Sequence, residues 1–343
     1  MKKSRLIIFS FFVLISTLSV SQDAFFSQYF ASGIYFNPAL AATETSVTLS
    51  GITRTQWKGV GTPYQTSMLA LTLPIKDKFE KHKRLGGITV SIYDDKSGDN
   101  TLKTTGFNVA GAYGLNITEK DLLIFGIMGG YYQKSLNKAN FQWGAQYDDL
   151  IGWDSSVDPG VGNITSSTNY FDVNAGLLAV HDLDKEVGTD RSEIFLGVST
   201  YHLTTPNESL VEGNTSALPL RFNVNIGALI PLKKHIGISP NLLYVQQGKN
   251  SQVNLGVYST YYFLKNVSNG FTPNNIELGA WYRVEDSFIF TLGLGNDVYH
   301  LGVSYDLTNS NLRYSSGGNS TYEISFKLQK PQKKTERHYT PRF

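Results

Sequence analysis

The chain has 343 residues, 41% of them hydrophobic and 17% charged, with 32 Gly, 20 Tyr, 20 Phe and no Cys. Charge is low against the roughly 25% usual in soluble globular chains, and this aromatic- and Gly-rich, Cys-free make-up excludes a disordered chain, a disulfide scaffold and a coiled coil. Beyond the first 21 residues no apolar run approaches the roughly 18 residues of a spanning helix, which excludes a helical membrane protein.

Residues 1–21 read as a signal peptide. Lys2, Lys3 and Arg5 precede the apolar run from Leu6 to Leu18, and Ser19-Val20-Ser21 offers small residues for cleavage before Gln22. Without the peptide's three cations the mature chain carries 27 Lys and Arg against 28 Asp and Glu. Such a balance lacks the basic stripe that nucleic-acid binding requires. The protein is expected to be exported, with no nucleic-acid partner.

Residues 22–44 form an N-terminal strap. Phe25, Phe26, Tyr29, Phe30, Tyr35 and Phe36 make it too apolar to float as a free tail. Asn37-Pro38 favours a turn, because the residue before Pro is pushed out of the helical region. Such a strap is expected to fold into a barrel mouth as a short plug; the alternative is a simple lead-in to the first strand.

From residue 45 the pattern alternates instead of repeating every 3.6 residues. Leu220, Phe222, Val224, Ile226, Ala228 and Ile230 share one strand face, with Arg221, Asn223, Asn225 and Gly227 on the other. The split recurs along 171–179, 276–283 and 322–328. Approximate strands fall at 45–57, 64–74, 85–95, 102–115, 121–135, 169–180 and 192–204. The second half adds 219–231, 235–247, 252–264, 274–285, 287–296, 299–308 and 320–329. About 14 strands of roughly 10–15 residues exceed the 5–6 usual in soluble sheets and suit tilted membrane strands. The fold class is therefore all-β: a transmembrane antiparallel barrel over 45–329, bound to outer-membrane lipid.

If both termini are periplasmic, the long connections 136–168, 205–218 and 309–319 lie outside and most tight turns lie inside, the usual barrel asymmetry. Tyr and Trp near strand ends, such as Trp57, Tyr64, Tyr131, Tyr261 and Tyr299, suit interfacial girdles. The inward set Arg54, Asp172, Arg221, Glu277, Arg283, Glu323 and Lys327 mixes both signs. Rings of one sign would mark a selective ion pore, so these residues are expected to bridge across the lumen or meet a protein plug. The 136–168 loop carries Phe141, Trp143, Tyr147 and Trp153, aromatics of the kind that anchor interfaces. Residues 330–343 read as a periplasmic basic tail, a candidate dock for a periplasmic partner.

No Gly-x-Ser-x-Gly elbow, phosphate loop or His-Glu-x-x-His occurs. His300 and Ser304 share a strand face, but four residues span about 13 Å, beyond general-base reach. The paired aspartates at 94–95 and 148–149 lack a calcium-loop pattern and read as solvated charge. No catalytic residue, metal site or cofactor is expected.

Phe26-Ser27-Gln28-Tyr29, Asn37-Pro38-Ala39, Arg54-x-Gln56-Trp57, Gly61-x-Pro63, Ser304-Tyr305-Asp306 and Tyr322-Glu323-Ile324-Ser325 together resemble the PorP/SprF family of type IX secretion and gliding motility. The resemblance implies an accessory outer-membrane barrel, not an enzyme. Its implied partners are other secretion components and a large secreted adhesin, recognised through the adhesin's C-terminal signal domain. On that reading Phe26, Tyr29, Asn37 and Pro38 would form the plug, and Arg54, Gln56 and Trp57 the first-strand anchor. Asn37-Pro38-Ala39 also resembles the FadL-type 14-stranded channels for hydrophobic compounds. The Arg54-x-Gln56-Trp57 and Ser304-Tyr305-Asp306 matches favour secretion.

Overall fold

A computed structural model describes residues 23–57, 63–76, 84–97, 101–137, 143–148, 150–158, 160, 163–183, 192–233, 235–263, 272–310 and 321–330. The signal peptide, Gln22, Gly61, Phe141 and the tail beyond Lys330 lie outside the described residues. Fourteen strands form the barrel wall: β1 (Thr48–Gln56), β2 (Tyr64–Lys76), β3 (Arg84–Ser97), β4 (Leu102–Asn116), β5 (Asp121–Leu136), β6 (Ser167–Asp182) and β7 (Glu193–Tyr201). They continue as β8 (Arg221–Lys233), β9 (Ile236–Gln247), β10 (Asn250–Tyr262), β11 (Asn275–Arg283), β12 (Ser287–Gly295), β13 (Tyr299–Thr308) and β14 (Thr321–Gln329). Each pairs antiparallel with the next, and β14 returns onto β1 to close the barrel. The expected fold class is the observed one.

The alternation explains why these segments are strands. Along β12, Phe288, Phe290, Leu292 and Leu294 point out, while Ser287, Ile289 and Thr291 are buried inside. Leu71, Ile92, Phe107, Ile127, Leu196, Ile226, Leu255 and Leu278 continue the exposed apolar band around the wall. A contiguous band of that size is costly in water and is the surface a lipid bilayer covers.

Two elements differ from the sequence expectation. β7 stops at Tyr201 instead of running to 204, because His202 (φ 62°) and Thr205 (φ 40°) enter the left-handed region and turn the chain off the wall. The connection between β5 and β6 holds structure of its own: a 3-10 turn (Gly144–Gln146) and a two-stranded hairpin pairing Tyr147 with Trp153.

Inside the wall, residues 23–46 supply much of the core. They fold as a 3-10 turn (Tyr29–Ala31), one helical turn (Gly33–Phe36) and a second 3-10 turn (Pro38–Ala42). Ile34, Ala39, Leu40 and Ala41 pack with Ile124, Met128, Leu178 and Phe195. Phe26, Tyr29 and Phe36 pack with Ile52, Tyr258, Trp281 and Ile289. Burying each Ile, Leu, Met and Phe among them stabilises by about 1.5–3 kcal/mol.

Candidate functional site: the internal strap and the pit beside it

Inward-facing charges on a barrel wall are costly unless paired. Four of them, Arg54, Arg283, Asp306 and Glu323, answer one another. Arg54 and Glu323 are register partners across the closing β1–β14 seam, with Nη1 2.8 Å from Oε1. Arg283 Nη1 lies 3.1 Å from Asp306 Oδ2. The strap then enters this balanced cluster. The Ser27 and Gln28 backbone N–H groups donate to the two Glu323 oxygens at 2.7 and 2.9 Å. Ser27 Oγ donates to Asp306 (2.7 Å) and accepts from Arg54 (3.0 Å) and Arg283 (2.8 Å). Ser325 donates to Gln28 Oε1 at 2.7 Å.

The strap's second anchor is across the barrel. Asn37 Oδ1 accepts the Ala39 N–H at 2.9 Å, capping the Pro38–Ala42 turn. Its Nδ2 donates to the carbonyl of Leu177 in β6 at 2.9 Å. This approach needs glycine in the wall. A Cβ on Gly126 would fall 2.3 Å from the Ala39 nitrogen, and one on Gly176 would fall 2.0 Å from Asn37 Oδ1. Ser199 and Asn223 side chains donate to the Phe36 carbonyl.

A third tie holds the strap's start. Asp23 Oδ2 meets Arg221 Nη1 at 2.6 Å and His202 Nε2 at 2.8 Å, while His202 Nδ1 meets Asp172 at 2.8 Å. Burial opposes charge on His202, but the carboxylates of Asp23 and Asp172 outweigh it and raise its pKa to about 9. Burial likewise works against the Asp23 carboxylate, and His202 and Arg221 more than offset it, holding its pKa well below the usual range. The left-handed turn at His202 is what brings its ring to this position.

Beside the strap, towards β2–β6, lies a half-open pit with a volume of about 110 Å³. Its wall includes Tyr35, Tyr93, Tyr132, Tyr170, Asp95 and Lys134. It lies at the barrel end that carries the long 137–166 and 202–220 connections, since the C-terminal parts of β3 and β5 line it. Tyr93 stacks on Tyr35 (5.7 Å, 14°) and Tyr132 on Tyr170 (5.3 Å, 13°).

Of the sequence-named residues, Phe26 and Tyr29 are buried in the strap core, Asn37 and Pro38 lie at the glycine contacts, and Arg54 is on the seam. Gln56 and Trp57 lie at the end of β1, apart from that network. Gln56 is opposite Tyr64, and Trp57 meets the Tyr64 ring edge-on at 5.2 Å. Trp143, Tyr147 and Trp153 belong to the loop hairpin, where Gln146 accepts from the Trp153 indole at 3.3 Å. Leu150 at its tip is 94% exposed and Ile151 74%, so the hairpin presents an apolar end. His300 faces Glu277 at 3.7 Å, whereas Ser304 accepts from Gln28 at 3.4 Å. Sequence reasoning missed Asp23 and His202. His202 falls inside the expected 192–204 strand and reads there as one more wall residue, and Asp23 at the start of the strap has no local partner in the sequence.

A closed barrel with an apolar outer band and a polar, ion-paired interior is a membrane β-barrel of the outer-membrane type. The family model for the type IX secretion system membrane protein PorP/SprF matches residues 18–328, and the chain belongs to that family. Membership implies other components of that system as partners. No curated protein matches the chain. Among solved structures it is similar to the monoaromatic hydrocarbon channel TodX in a deltaS2 mutant form (TM-score 0.51, 9% identity, covering 88% of this chain and 94% of that one). It is also similar to the toluene transporter TbuX of Ralstonia pickettii (0.49, 11%, 87% and 93%) and a Pseudomonas aeruginosa FadL homologue (0.44, 9%, 85% and 92%). At such identities the likeness concerns the fold alone.

Proposed function

We propose that this protein is a non-enzymatic outer-membrane barrel, with both termini periplasmic, that recognises the C-terminal domain of a large secreted adhesin and supports its export or surface anchoring. The observation that carries the reading is the family match along nearly the whole mature chain. The geometry is in keeping with it. The motif residues Ser27, Gln28, Arg54, Asp306, Glu323 and Ser325 converge on one buried cluster that ties the strap to the seam. Phe26, Tyr29, Asn37 and Pro38 then act as a plug and Arg54 as its anchor, while Gln56 and Trp57 finish the first strand. The loop hairpin, with Tyr147 and Trp153, offers the adhesin an apolar contact at the long-loop end. A channel for hydrophobic small molecules would need an apolar route, and the charged strap network weighs against one.

The test is co-purification. The tagged barrel, taken from its native outer membrane in gentle detergent, is expected to bring down a very large secreted protein through that protein's C-terminal domain. A barrel that comes down with only a small apolar molecule bound sinks the reading and favours transport.

A further inference from the structure

We propose that the pit beside the strap is a binding site for a cationic group, an ammonium or guanidinium on an aliphatic stem, held by the Asp95 carboxylate between tyrosine rings. The charges of the pit wall carry the inference. Asp23 and Asp172 are answered by Arg221 and His202. Glu208 is answered by Lys134 at 2.9 Å. Asp94, next to Asp95 in β3, is held by Lys96 and Lys103 at 3.2 and 3.0 Å.

Asp95 is different. Among the described residues its only hydrogen-bond donor is Thr66 Oγ1 at 2.6 Å, and no cation stands within ion-pair distance, Lys134 acting on it from farther off. With the other pairs closed, Asp95 is, among the described residues, the carboxylate of the pit wall that forms no direct ion pair. A half-buried carboxylate with spare acceptor capacity is best satisfied by a charged N–H donor.

The surroundings suit a cation on a stem. Tyr93 precedes Asp95 by two residues on the same inward strand face, about 7 Å away along the strand. It stacks on Tyr35, and the Tyr132–Tyr170 stack forms another part of the wall. Ring faces attract cations, and ring bodies cover an aliphatic stem. An anionic ligand would meet the unanswered Asp95, and both cations facing the strap's start, Arg221 and His202, already hold carboxylates.

Such a cation can be a basic side chain on a partner polypeptide or a free small amine. The assignment stands apart from the secretion reading, because it is tested on the purified barrel without any partner. Binding to the full mature chain in detergent is measured with acetyl-arginine amide, its uncharged counterpart acetyl-citrulline amide, and 1,5-diaminopentane. Saturable binding of acetyl-arginine amide is expected, weaker by about tenfold or more for the citrulline probe and in Asp95→Asn. Binding of the diamine as well supports the site and points to free amines; binding of the arginine probe alone supports it and points to a polypeptide side chain. No saturable binding of either cation, or equal binding of the arginine and citrulline probes, overturns the proposal. The citrulline comparison needs no variant, so the test survives a misfolded Asp95→Asn.

Discussion

Arg54 and Glu323 lie 269 residues apart in sequence and 2.8 Å apart in space, on the seam where the last strand closes against the first. Both side chains are buried, and Glu323 also accepts two backbone N–H groups from the strap. One carboxylate thus ties barrel closure to strap placement. Removing the cation alone leaves a buried, uncompensated charge, which costs about 3–5 kcal/mol. Arg54→Met is therefore expected to destabilise the barrel strongly, and the double variant with Glu323→Leu to cost less than the sum of the two single variants, although it leaves two strap N–H groups without their acceptor. A double-mutant cycle on detergent unfolding checks this; additive effects would show that the pair is not coupled.

The strap's other anchor rests on missing side chains. Gly126→Val places a Cβ 2.3 Å from the strap backbone at Ala39, where neither main chain has room to yield. The wall is expected to fold while residues 23–46 leave their seat, and limited proteolysis should then cut the strap and spare the strands. Unchanged strap protection would contradict the packing.

The tie at the strap's start depends on pH. The folded pKa of His202, about 9, lies above its ordinary 6.5, so its stabilisation is complete below pH 6.5 and is lost as pH rises through about 9. Strap protection is expected to fall across that window in the native chain and to be flat in His202→Gln. Hydrogen exchange at residues 23–36 measures it. An identical pH profile in the variant would assign the change to another group.

Legibility followed solvent. Each strand in lipid must turn an apolar face outward, so the alternation at Phe222, Ile226, Leu278 and Ile324 marks both the strands and their inward sides. The mixed signs of Arg54, Arg283 and Glu323 pointed to neutralised pairs. Which charges meet depends on barrel closure, and Ser27 to Glu323 is a separation of 296 residues that no local pattern encodes. Gly126 and Gly176 read in sequence as ordinary strand glycines, because the strap backbone that requires them is remote. The end of β7 departs from the strand pattern for a related reason: His202 takes a left-handed conformation to reach Asp23 and Asp172, a tertiary demand that overrides the local alternation.

The outer band gives a prediction that does not involve the strap. Leu278 is near the middle of β11 and faces outward. Leu278→Arg is expected to cost about 2–4 kcal/mol of stability in bilayers, the penalty for a cation near the midplane. A folding titration in lipid vesicles measures it, and an unchanged free energy would place this face outside the hydrocarbon.

The most direct test of the account is photo-crosslinking in living cells. A photoreactive residue is placed at Tyr147 in the loop hairpin, with Leu278 on the lipid face as the control. The account predicts a crosslink from position 147 to a single very large exported protein, mapped to that protein's C-terminal domain, and none from position 278. Crosslinks from position 147 to lipid alone, with no polypeptide partner while the cells are secreting, would contradict it.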